Sequence, residues 1–73
     1  AMERAQKIEL GAAIRKARQE QQLTQFTLAI RAGCSPPTIW FCEHDAASET
    51  MLAKVAKALR VKLPKNDAHK VSP

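Results

Sequence analysis

The stretch from Thr24 to Glu43, TQFTLAIRAGCSPPTIWFCE, decides the fold. It predicts a short helix, a tight turn and a second short helix. Thr24 is a natural N-cap, because its hydroxyl can accept from a backbone N–H that the first turn leaves unpaired. Gln25 opens the first helix, which runs to Ala32. Ala29, one turn in, is small because the second helix must cross close over it. Gly33 can take a positive φ after the helix ends without a Cβ penalty. Ser35 can cap the second helix, and Pro36 suits its first position, where the missing N–H costs nothing. Pro37 is tolerable in a first turn but pushes Pro36 away from the α region, which moves the expected start to Pro37. The expected end is near Glu43. Ile39 and Cys42, spaced i and i+3, supply the inward face, so Trp40 and Phe41 should point outward or sideways.

On the N-terminal side, Leu10, Ile14, Ala17 and Arg18 recur at i, i+4, i+7 and i+8. That stripe predicts a helix over about 4–21, weakened slightly by Gly11 near its start. On the C-terminal side, residues 44–47 read as a short loop. Ser48 caps a further helix, with Glu49 well placed against its N-terminal dipole. Met51, Leu52, Val55, Ala56 and Leu59 give this helix an apolar face, and Lys54, Lys57 and Arg60 a polar one. Val61 and Leu63 are expected to tuck back onto the core. Residues 64–73 read as a polar C-terminal tail that frays. The expected architecture is all-α, a bundle of four helices with a fifth short turn left open, forming one domain over 4–63.

The bulk properties agree with a small helical domain. At 73 residues the chain makes one domain, and chains this size bury only about 60% of their unfolded surface. Hydrophobic residues make up 45% of it, enough for a core. Ala dominates, Val and Ile are few and Tyr is absent, which favours packed helices over sheet. The net charge of +5 and pI near 9.7 fit nucleic acid or an anionic surface. The basic residues cluster at 4–18 and 54–70, while 34–53 carries no Lys or Arg. Cys34 and Cys42 are too few for a secreted disulfide scaffold. With no signal peptide, transmembrane run or lipidation signal, a cytoplasmic location is the expectation. Ala1 ahead of Met2 reads as a residue left from an expression tag.

The ordered set Gln25, Ala29, Gly33, Ser35 and Ile39 resembles the helix-turn-helix of the phage-repressor-like (Cro/CI-type, lambda-repressor-like, XRE) DNA-binding domains. The opening LGAAIRKARQEQQLTQ and the KALRV ending of the last helix extend that resemblance over roughly residues 10–63. It implies a four- to five-helix lambda-repressor-like bundle whose second motif helix enters the major groove of double-stranded DNA. It also implies a sequence-specific transcriptional regulator of small bacterial or phage type, a repressor in the first instance. Arg18 and Glu43 match a charged pair that ties the first helix to the end of the recognition helix. Arg18, Thr24, Gln25, Ser35 and His44 would lie towards phosphates, although a solvated loop histidine is the plainer reading of His44. Flanking basic residues would add backbone contacts. Pro36, Pro37, Thr38, Trp40 and Phe41 would face the bases. Relatives usually bind as dimers. The apolar fifth helix that often builds their seam is missing or short here, which leaves a homodimer open.

The chain departs from that pattern where bases are read. Relatives carry Gln, Asn, Ser, Arg or Lys on the recognition helix, because base edges are read by hydrogen bonds. Here there is one hydroxyl, Thr38, among apolar groups. Phe26 and Ile30, at i and i+4 on the preceding helix, replace residues that are usually polar. With Trp40 and Phe41 they give a second expectation, a helix-turn-helix scaffold with an apolar face for a protein partner. A repacked core that buries these side chains is the third. Cys34 and Cys42 are expected as buried thiols. His44 and His69 do not complete a closed zinc pattern with them. No nucleophile–base constellation, Gly-rich phosphate loop or paired carboxylate is present, so neither an enzyme nor a cofactor is expected.

Overall fold

The computed structural model describes residues 2–63 of the chain. Four helices run through them: α1 (Arg4–Glu20), α2 (Gln25–Ala32), α3 (Pro36–Glu43) and α4 (Glu49–Leu59). The described residues contain no strand. After α4 the chain continues to Leu63 without a fifth turn. The expected tail, 64–73, lies outside the described residues.

Local chemistry accounts for the boundaries. The Glu3 N–H donates to Gln6 Oε1 at 2.9 Å at the start of α1. The Thr27 N–H donates to Thr24 Oγ1 at 3.0 Å, which caps α2. Ser48 caps α4 the same way, its Oγ accepting from the Met51 N–H at 3.2 Å. All four helices end on one device, a residue at φ near +60° or +70° with the following N–H folded back onto the last turn. Gly33 does this for α2 at φ 73°, and the Cys34 N–H donates to the Ala29 carbonyl. Gln22, Asp45 and Arg60 do it for the others, at φ 58°, 57° and 62°.

The start of α3 differs from the expectation. It begins at Pro36, and both prolines occupy its first turn. Neither first-turn N–H would have an intrahelical acceptor, and the fixed φ of proline already matches a helix, so two in succession cost little there. Ser35 is the N-cap residue, but its hydroxyl makes no cap bond. It pairs with the Thr38 hydroxyl at 3.0 Å, while the Thr38 N–H donates to the Ser35 carbonyl.

The core is built from apolar residues around Ile14, Leu28, Ile39, Leu52, Val55 and Cys42. α4 packs against the other three helices and α3 packs against α1 and α2. Gly11 is more than a weak helix former. A Cβ there would stand 2.5 Å from the Cys42 carbonyl oxygen, so the missing side chain lets α1 and α3 touch backbone to backbone. Val61 packs against the core as expected. Leu63 does not, and stays exposed, because the chain leaves α4 through Arg60 and carries Leu63 past the core edge. Cys34 is likewise only partly buried, since it sits in the turn between α2 and α3, whereas Cys42 is buried on α3. No described helix is long and apolar enough to cross a membrane.

Candidate functional site

The α2–turn–α3 unit carries the side chains that the sequence singles out. At its centre is the Glu43 carboxylate, whose side chain is only 1% exposed at the C-terminal end of α3. A carboxylate so far from water needs partners for its charge. Arg18 of α1 pairs with it twice, Nε to Oε2 at 2.7 Å and Nη2 to Oε1 at 3.3 Å. The same guanidinium donates from Nη1 to the Leu23 carbonyl at 2.8 Å. Gln25 is the second partner and adds a third hydrogen bond, its Nε2 donating to Glu43 Oε1 at 3.4 Å. One buried carboxylate therefore ties together α1, the start of α2 and the end of α3. The fork geometry of arginine suits this task, because Nε and Nη2 can grip the two oxygens while Nη1 reaches elsewhere.

The Arg18–Glu43 pair was legible in the sequence. The link from Gln25 was not, because helix periodicity cannot show that the start of α2 lies beside the end of α3. Arg18 keeps 14% of its side chain exposed, a narrow edge through which a phosphate oxygen could be met. Thr24 is exposed, but its hydroxyl is engaged in the cap and also donates to the Thr27 hydroxyl at 2.9 Å.

On α3, Trp40 and Phe41 point outward and are 46% and 45% exposed. On α2, Phe26 and Ile30 are 62% and 66% exposed. These values overturn the repacked-core expectation. The inward positions are already filled by Leu28, Ala29, Ile39 and Cys42, so the outer side chains have no cavity to enter. Pro37 is exposed, and Pro36 and Thr38 are half-buried.

His44 is exposed, yet it is not simply solvated. Its ring stacks on Trp40 with centroids 3.9 Å apart and planes 10° from parallel. Nδ1 lies 2.7 Å from the Trp40 carbonyl oxygen, which can only accept, so Nδ1 carries the proton. Phe41 meets Trp40 edge-on at 5.5 Å. One face of the indole is thus covered by imidazole and the ring is held in one orientation. The i, i+4 spacing of Trp40 and His44 was the available signal for this contact.

Electrostatically the unit is nearly free of cations. Arg31 is the one Lys or Arg within α2 and α3. Cys42 carries a thiol pushed up to about 11, first by burial and then by the neighbouring Cys34 and Glu43, so it stays neutral near pH 7. No three His, Cys, Asp or Glu side chains among the described residues converge as a metal site would need.

No family model, curated protein or solved structure matches the chain.

Proposed function

We propose that this protein is a sequence-specific DNA-binding transcriptional regulator. Its α2–turn–α3 unit acts as a helix-turn-helix, with α3 as the helix that enters the major groove. The observation that carries this reading is the convergence of Arg18 and Gln25 on Glu43. The sequence resemblance names these positions as a phosphate contact, a phosphate anchor and the brace of the recognition helix. In three dimensions the three side chains meet at one point. Such a brace fixes α3 against α1 and α2 while its outer face stays open. The free N–H groups at the start of α2 lie beside the same brace, where a phosphate oxygen can be held.

Readout on this helix is apolar. Trp40, Phe41 and Pro37 offer contact with thymine methyls and with groove shape, and Thr38 offers one hydroxyl that already bonds to Ser35. Affinity then depends largely on phosphate contacts from Arg18 and the basic residues of α1, and sequence preference rests on the apolar contacts of α3.

A second reading has its own support. Phe26, Ile30, Trp40 and Phe41 are four large apolar side chains exposed on adjacent helices that carry one Lys or Arg between them, Arg31. That composition suits a protein interface. Changing Trp40→Ala together with Phe41→Ala separates the two. Both residues are outward, so the fold should survive. Loss of DNA affinity with an unchanged circular dichroism spectrum supports groove contact. Unchanged DNA affinity with loss of self-association or partner capture supports the interface.

A further inference from the structure

A groove of about 590 Å³ runs along α4 and the segment that follows it. None of its lining comes from α1, α2 or α3. Ala53, Val61 and Leu63 give it apolar surface, and Lys54, Lys57 and Arg60 place three cations on it with no acid among the lining residues. Lys54 leans towards the end of α2, its Nζ 3.3 Å from the Gly33 carbonyl oxygen. Lys57 and Arg60 pair with no carboxylate among the described residues, whose ion pairs are Arg4–Asp45 and Arg18–Glu43.

Charge and polarity together select the occupant. A second copy of the chain would bring the same three cations face to face with nothing to neutralise them. A nucleic-acid backbone would satisfy the charge but leave the apolar surface of Val61 and Leu63 uncovered. The sequence that follows, PKNDAHKVSP, carries Lys65 and Lys70 against Asp67 and does not complement the groove. An amphipathic helix with a Leu-type stripe flanked by Glu or Asp matches both properties, its apolar side chains on Ala53, Val61 and Leu63 and its acids against the cations. We propose that this groove docks an acidic amphipathic helix of a partner protein. The inference does not rest on DNA binding by α3, because no groove residue belongs to the α2–turn–α3 unit.

The test uses the full chain without DNA. A labelled synthetic peptide of about 15 residues carries Leu at i, i+3, i+4 and i+7 with Glu on both flanks. Binding is followed by fluorescence anisotropy. The expected result is saturable binding that weakens with added salt. Lys57→Glu with Arg60→Glu should weaken it roughly tenfold or more, and Leu63→Ser should weaken it as well. All three residues are exposed or follow α4, and an unchanged circular dichroism spectrum confirms that the variants fold. Four results would overturn the proposal. The peptide does not bind. A Lys-flanked peptide binds equally, which marks unspecific apolar adhesion. A Glu peptide without Leu binds equally, which marks a bare anion site. Sedimentation shows Leu63-dependent self-association that excludes the peptide, which marks a second copy as the occupant.

Discussion

Gly11 lets α1 and α3 meet backbone to backbone. Helix propensity alone says that Gly11→Ala should stabilise α1 by about 0.5–1 kcal/mol. The contact with the Cys42 carbonyl says the opposite, because backbone cannot yield as a flexible side chain would. The expected outcome is a loss of about 1–3 kcal/mol, read from the urea midpoint. Cys42, on the other side of that contact, supplies a pH-dependent term. Its thiol titrates near 11 in the folded chain against an ordinary 9.0. A raised folded value means that its stabilising share is complete below pH 9 and is lost as pH climbs towards 11. Urea midpoints across that window should fall more steeply for the native chain than for Cys42→Ala. Equal slopes would show that the thiol is not held neutral by its surroundings.

At the scale of the helices, the Glu43 brace governs how α3 is held. Arg18→Ala leaves a carboxylate buried with only Gln25 beside it, and should cost about 3 kcal/mol by chemical denaturation. Replacing both partners, Arg18→Met with Glu43→Leu, should recover much of that loss because no charge is stranded. The helices themselves were largely legible in the sequence. The bounds of α2 follow from Thr24 and Gly33, and those of α4 from Ser48 and the apolar run to Leu59. α3 starts one residue before the expected Pro37, because the tolerance of a first turn for proline outweighs the pre-proline bias. The sequence marks Gly11 only as a weak helix former, because a one-dimensional pattern shows propensity but not which backbone lies opposite. The candidate site was legible as far as the Arg18–Glu43 pair and the outward Trp40 and Phe41. The Trp40–His44 stack and the Gln25 link depend on how helix ends meet in space, which spacing alone does not encode. Leu63 was expected inward on its apolar character alone, and the turn at Arg60 directs it out.

At the scale of the whole molecule, among the described residues, the α2–turn–α3 unit exposes Phe26, Ile30, Trp40 and Phe41 and carries one cation, Arg31, while most other Lys and Arg stand on α1, on α4 and just after it. DNA binding by this molecule should therefore be driven by the basic residues of α1 and the Arg18 edge, and be strongly salt-dependent. Trp40 makes that claim measurable, since it is the only Trp, Tyr is absent, and its ring stands on the outer face of α3. The most direct measurement is a low-salt titration of the protein with mixed-sequence duplex DNA, followed by Trp40 emission and repeated over a range of salt. The expected result is a saturable change in emission and an affinity that falls with salt at a log–log slope of about −0.9 for each phosphate contacted. DNA binding that leaves Trp40 emission unchanged, or no binding even at low salt, would contradict it.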